Sequence, residues 1–195
     1  MTVAPYCSYD EGMFSVQKRA LPSLFDVYSE FQTACFHEAG HAVVGYLLGQ
    51  GCSSLSVRVE YSIDSEGRPH GLAYGGMARM SRAAMRWVNQ DLRVGQLTSA
   101  LVNYGVSVAA GPAAERKFRI EAGLPLCALY TAQGDRTSID AVAKKLEANG
   151  RSRSAFQKMV WHRAQSLLRV PSVWGCVMPC GRRTDLRSRF IGVRR

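Results

Sequence analysis

The sequence lacks the features that would direct the chain into a membrane or an oxidising compartment. It has no run of about 18 apolar residues, so no membrane-spanning helix is expected. Residues 1–10 have neither the basic region nor the apolar core of a secretory signal. The six cysteines form no Cys-x-x-Cys pair, which argues against a disulfide framework and a zinc knuckle. We therefore expect a cytoplasmic protein.

Two further absences concern nucleotide chemistry and charge. None of the five lysines follows a glycine, so the chain has no P-loop and is expected to lack an ATPase of its own. Residues 151–195 contain 11 Lys and Arg but a single acid, Asp185, whereas residues 1–150 are neutral. The net charge of +10 therefore comes from the C-terminal arm. Such arms can contact nucleic acid, but more often they are only solvated, so nucleic-acid contact is the weaker expectation.

What the sequence does contain is enough apolar material for one folded domain. The chain has 195 residues, and 47% of them are hydrophobic. We expect an irregular N-terminal lead-in over 1–28, a folded domain over 29–170 and a basic C-terminal tail over 171–195. Pro179 and Gly181 are expected to interrupt any helix in that tail.

The spacing of apolar residues and the positions of capping residues and proline predict a mostly helical α+β fold. Ser29 and Gln32 have the spacing of a capping box, which predicts a first helix over 29–49. Alternating residues predict a strand at 55–61, and a short run with glycines at its ends predicts a second strand at 71–76. The two are expected to form a small sheet beside this helix. Further helices are predicted at 94–110, 112–122, 135–148 and 155–169. Pro112 is expected to begin the second of these, because proline is favoured in a first turn.

The first helix carries the most informative motif, His37-Glu38-Ala39-Gly40-His41. Histidines four residues apart lie on one helix face, so both imidazoles can bind one metal ion, and Glu38 can act on a water beside it. Chance would produce this spacing in about a few chains per thousand of this composition. The alternative, two buried histidines with separate backbone partners, requires two coincidences.

The residue that completes such a metal site is less certain from spacing alone. A catalytic zinc usually has three protein ligands and one open position. Asp135 heads an apolar helical row and needs a strong partner there. Glu115 is the rival carboxylate, because it shares a row with Phe118 on its own helix. His162 falls on a polar face, and no spacing favours Cys127.

Several segments resemble the peptidase domain of FtsH-type AAA proteases. The motif with Ala39-Gly40 inside it, the run Ala110-Gly111-Pro112-Ala113-Ala114-Glu115, and the helix that begins at Asp135 are similar to that family's zinc helix, Gly-x-Ala-Ala-Glu segment and third-ligand helix. The resemblance covers roughly 30–170.

The resemblance implies a zinc metalloendopeptidase with His37, His41 and Asp135 as ligands and Glu38 as general base. It gives Glu115 a supporting role. It also implies that the segment Gly71, Leu72, Ala73 and Tyr74 pairs with an extended polypeptide substrate.

We therefore expect a zinc-dependent protease without its own ATPase. A separate ATPase and further copies of the chain are its candidate partners. The alternative is a catalytically weak or inactive zinc-binding regulatory module with a basic tail.

Overall fold

The structure, a computed structural model, describes residues 24–63, 69–94, 97–126 and 132–182. Its elements, in chain order, are α1 (Leu24–Leu47), β1 (Cys52–Ile63), β2 (Pro69–Met80), α2 (Arg82–Val94), α3 (Ser99–Glu121), α4 (Gln133–Glu147), α5 (Arg153–Arg169) and α6 (Pro171–Arg182). The predicted α+β class, mostly helical with a small sheet beside the first helix, is confirmed.

Helix α1 lies at the centre of the fold. Every residue from Thr33 to Gly40 is buried, because α3, α6 and both strands pack around this stretch. Ser29 lies inside α1, so the predicted capping box was wrong: the helix already includes Leu24, since no glycine or proline interrupts the turn between Leu24 and Ser29. The histidine motif therefore sits on a helix that is held from several sides.

The sheet is a single antiparallel pair, β1 with β2. The register pairs Leu55 with Ala78 and Val59 with Tyr74, and it shifts between Cys52 and Ser54. Such shifts mark β-bulges, which often re-aim a strand beside a functional site. Both predicted strands are confirmed, and each is longer than predicted.

Helix α3 runs through Pro112 without a break, so the predicted end at Ala110 and new start at Pro112 were wrong. A proline inside a helix costs about 3 kcal/mol. All residues from Gly105 to Glu115 are buried, and this packing offsets the lost hydrogen bond. The helix begins at Ser99 with Thr98 as its N-cap, while Val94, the expected start, ends the unpredicted helix α2.

Small residues let α1 and α3 approach closely. A Cβ atom on Gly40 would lie 2.5 Å from the backbone oxygen of Ala110 and 2.6 Å from Cβ of Ala114. Real Cβ atoms do not tolerate such contacts, so this crossing requires glycine at position 40. The close crossing brings the motif on α1 against the middle of α3.

Helix α6 corrects the prediction that Pro179 and Gly181 interrupt a helix in this region. Gly181 lies against the ring of Phe36, where a Cβ atom would come within 2.9 Å of three ring atoms. Phe36 also stacks on Phe118, with ring centroids 4.0 Å apart, and on Trp174. Packing on α1 therefore stabilises a helix whose local propensity is poor.

This packing yields a stability prediction. We expect Gly181→Ala to lower the free energy of unfolding by about 1–3 kcal/mol, because the added methyl group overpacks the contact with Phe36. Gly175→Ala is the matched control in the same helix, since a Cβ atom there meets nothing within 4 Å. Urea denaturation of both variants measures the difference; equal stabilities would contradict the assigned packing of α6.

Candidate metal centre

Three side chains from two helices converge beside the α1–α3 crossing. The Nε2 atoms of His37 and His41 are 3.1 Å apart. Oδ2 of Asp135, in the first turn of α4, lies 2.9 Å from Nε2 of His37 and 3.4 Å from Nε2 of His41. His37, His41 and Asp135 thus form a group that could hold a metal ion, with all ligand atoms within 4.8 Å of one another.

The partners of the other ring nitrogens fix the protonation of both histidines. Nδ1 of His37 lies 3.0 Å from Oε2 of Glu115, and Nδ1 of His41 lies 2.8 Å from the backbone oxygen of Ser107. A carboxylate and a carbonyl can only accept, so each Nδ1 carries the proton. In the neutral rings, both Nε2 atoms then present lone pairs.

Three acceptors therefore meet with no donor between them. Two imidazole lone pairs and a carboxylate oxygen at these distances need a cation, either a proton or a metal ion, to offset their burial and mutual repulsion. Imidazole nitrogen with carboxylate oxygen is a donor set that zinc accepts. The residues present fit a divalent metal ion.

Gly111 leaves the space that such an ion needs. A Cβ atom on Gly111 would lie 2.2 Å from Nε2 of His41 and 2.8 Å from Nε2 of His37. The first distance is close to a zinc–nitrogen bond, about 2.0–2.1 Å. Any larger residue at this position of α3 would fill the side of the centre on which the two lone pairs meet.

Glu115 contacts His37 from the side away from the other two ligand atoms. Its carboxylate is buried, and its Oε1 accepts from Nε of Arg119 at 3.1 Å. Arg119 in turn forms a two-pronged ion pair with Glu30 on α1, at 3.0 and 2.7 Å. The structure therefore groups Asp135 with the two Nε2 atoms, and Glu115 orients the His37 ring as carboxylates beyond a metal ligand commonly do.

The charges of the centre shift the pKa values of its members. Burial alone would lower the pKa of His37, but hydrogen bonds to Asp135 and Glu115 raise it to about 9. Burial would raise the pKa of Asp135, yet its interactions with His37 and His41 lower it well below its usual range. Without a metal ion, the cation between the three acceptors is thus a proton on His37.

Glu38 lies beside the ligand group and is itself buried. Burial raises the pKa of its carboxyl group. His37 and His41 lower this pKa by a smaller amount, so the net shift is upward. The backbone of Ala78 in β2 donates a hydrogen bond to this carboxyl group. A carboxylate in a poorly solvated position next to a metal centre is suited to accept and return a proton.

An open cavity of about 280 Å³ gives access to the centre. Its wall is made by Glu38, His41, Ala42, Gly51, Cys52, Ala78, Arg79, Met80, Met85, Tyr104, Val108, Asp135 and Ser138. Strand β2 contributes Ala78–Met80 to this wall. The segment predicted to bind substrate, Gly71, Leu72, Ala73 and Tyr74, lies nearer the start of the same strand, and its side chains are outside the part of the chain that the structure describes.

Some features of the site had no signal in the sequence. The carbonyl of Ser107 binds His41 through the backbone, which every residue possesses. Arg119 could have been found as the i+4 partner of Glu115. Of the other candidate ligands, His162 is exposed as predicted, and Cys127 lies outside the described residues.

Comparisons of this chain with models of known protein families, with curated protein sequences and with solved structures found no match. Within the described residues, no helix combines the length and the apolar character needed to cross a membrane. The function therefore has to be argued from the metal centre and its cavity.

The pKa of His37 predicts how metal binding depends on pH. A metal ion must displace the proton from His37, so the apparent affinity should rise about tenfold per pH unit up to about pH 9. Competition with a zinc chelator between pH 6.5 and 8.5, corrected for the chelator's own protonation, measures the slope. An affinity that levels off above pH 7, as an ordinary histidine would give, contradicts the assigned hydrogen bonds.

The position of Gly111 next to the two Nε2 atoms predicts how a substitution there affects metal binding. Alanine is a better helix former than glycine, so Gly111→Ala should retain the helical circular dichroism signal. Its methyl group should nevertheless weaken metal binding by about 100-fold or more, because it occupies the space next to both Nε2 atoms. Gly134→Ala is the control in α4, where a Cβ atom has no neighbour within 4 Å. Unchanged affinity in the Gly111 variant would place the metal elsewhere.

Proposed function

We propose that the chain is a zinc-dependent metalloendopeptidase that resembles the proteolytic domain of FtsH-type proteases. The observation that carries the proposal is the convergence of two imidazole lone pairs and one carboxylate oxygen beside a buried glutamate in an open cavity. Zinc is the metal that this set favours, because two histidines and one carboxylate are a common catalytic zinc set.

In this proposal His37, His41 and Asp135 hold the ion, and Glu115 and Ser107 keep both imidazoles in the Nδ1-protonated form. A zinc ion held there would act as a Lewis acid, which acidifies a water molecule and polarises a carbonyl group. Glu38 accepts the proton of the attacking water at its carboxylate and returns it to the departing amine. Its raised pKa brings it closer to the operating pH, as such a proton carrier requires.

The position of strand β2 favours a polypeptide as the substrate. Because the backbone of Ala78 donates to Glu38, the edge of β2 at this residue faces the centre. A peptide that runs along this edge in an extended form would lie beside the backbone of the strand and pass over the cavity. We therefore extend the proposed substrate-pairing edge of β2 from Gly71–Tyr74 to the stretch Ala78–Met80.

The proposal is tested with a Glu38→Gln variant. Glutamine keeps the shape of glutamate but cannot take up a proton, so zinc should still bind while cleavage of casein or an unstructured peptide falls by about 100-fold or more. Glu147→Gln, an exposed glutamate on α4, is the control and should retain full activity. The measurement pairs a fluorescent cleavage assay with metal analysis of each protein.

Two outcomes would count against a peptidase. Equal cleavage by wild type and Glu38→Gln protein would remove Glu38 from the mechanism. A wild-type protein that binds zinc but cleaves no unstructured polypeptide would instead favour the alternative, a zinc-binding regulatory module.

A further inference from the structure

The wall of the cavity becomes apolar away from the ligand atoms. Its four largest apolar side chains come from three elements: Met80 on β2, Met85 on α2, and Tyr104 and Val108 on α3. Val108 is buried, and the other three are half-buried. We call these four residues the apolar wall.

One half of the apolar wall begins at the metal centre. Tyr104, Val108 and Gly111 lie within about 60° of one another around the axis of α3. A Cβ atom on Gly111 would lie 2.2 Å from Nε2 of His41, so this row of α3 faces the centre. Val108 lies about 4.5 Å along the helix axis from Gly111, and Tyr104 lies about 6 Å further. The row therefore leads from the ligand atoms into the cavity.

Strand β2 reaches the same cavity from the side of Glu38. The backbone of Ala78 donates a hydrogen bond to the Glu38 carboxyl group. Met80 follows two residues later, so its side chain lies on the same face of the strand as that of Ala78. Both residues belong to the cavity wall, which places Met80 next to the proposed proton carrier.

The turn after β2 fixes the position of Met85. The backbone N–H and the hydroxyl of Ser81 both donate to the carbonyl oxygen of Gln50, at 3.3 and 2.7 Å. The N–H of Met85 in turn donates to the carbonyl oxygen of Ser81 at 3.1 Å. The first turn of α2 is therefore held against the end of β2, and Met85 is part of a positioned wall.

The size of the cavity suits one large side chain. A closed apolar cavity of about 150 Å³ holds a benzene ring. The cavity at the metal centre has a volume of about 280 Å³, which leaves room for a side chain of that size beside a peptide backbone.

The charges of the wall lie apart from its apolar half. Glu38, His41 and Asp135 belong to the metal centre, and Arg79 is exposed on the face of β2 opposite to Met80. A charged side chain placed against the apolar wall would lose hydration without gaining a partner there. The wall therefore favours an apolar side chain over a charged one.

We infer that the apolar wall is a subsite that binds one large apolar side chain of the substrate, next to the bond that is cleaved. The inference rests on the proposed peptidase function and narrows its substrate class. Large apolar residues are mostly buried in folded proteins, so the substrates with such a residue within reach are unfolded or unstructured polypeptides.

The first test needs no turnover, because it uses hydroxamic acids, which chelate zinc. Isothermal titration calorimetry compares acetohydroxamic acid with 3-phenylpropanohydroxamic acid on the zinc-loaded full chain. The phenyl compound should bind about tenfold more tightly or better, because the apolar wall removes its ring from water. Equal affinities would overturn the subsite and leave the proposed peptidase intact. Failure of both compounds to bind would overturn the metal centre and the subsite together.

A matched pair of variants assigns this preference to the wall. Met85→Glu should bring the two affinities to within about twofold of each other, because a carboxylate replaces the apolar contact. Ala83→Glu is the control, since Ala83 is exposed on the same helix and lies outside the described cavity wall. A folded Met85→Glu protein that keeps the full preference would overturn the assignment. The comparison of the two compounds on wild-type protein stands whether or not this variant folds.

The second test maps cleavage sites in casein by mass spectrometry. Leu, Phe, Met and Tyr should together be enriched about fivefold or more over their abundance at one position next to the cut. Cuts without such enrichment on either side would overturn the subsite. The absence of any cut by the zinc-loaded wild type would overturn the peptidase function itself, a result that hydroxamate binding distinguishes from loss of the subsite alone.

Discussion

The candidate metal centre depends on one electrostatic constraint. Three hydrogen-bond acceptors lie close together, and no donor lies between them. Both imidazoles donate a hydrogen bond from Nδ1–H to a fixed acceptor, which leaves two Nε2 lone pairs facing each other and the carboxylate of Asp135. Such an arrangement is stable only around a cation. Helices α1, α3 and α4 each supply part of it, so the centre and the core of the domain are built by the same contacts.

Small residues at the α1–α3 crossing make this arrangement possible. Gly40 lets the helices touch, and Gly111 keeps the space beside the two Nε2 atoms open. Behind the histidines, buried Glu115 and Arg119 and the half-buried Glu30 form a series of ion pairs that ties α3 back to α1. These ion pairs hold the His37 ring at a fixed angle, which matters because a metal ligand that turns by a few tens of degrees no longer points at the ion.

Much of the centre could be predicted from the sequence because it is encoded in local spacing. Helical periodicity placed His37 and His41 on one face and Asp135 at the head of a buried row, and the structure brings these residues together. Features set by packing between distant segments could not be predicted. Pro112 and Pro179 look like helix breaks, yet each lies within a helix that tertiary contacts stabilise. The part of β2 that reaches the cavity likewise depends on how the hairpin lies across α1, which no local pattern records.

We propose that His37, His41 and Asp135 together hold one metal ion. Anomalous diffraction at the zinc absorption edge, from a crystal grown with stoichiometric zinc, locates this ion. We expect one strong peak within bonding distance of Nε2 of His37, Nε2 of His41 and a carboxylate oxygen of Asp135, about 2.0–2.2 Å from each. A well-ordered crystal with no peak at this position, or with its zinc bound to cysteine sulfur instead, would show that these three residues do not form the metal site.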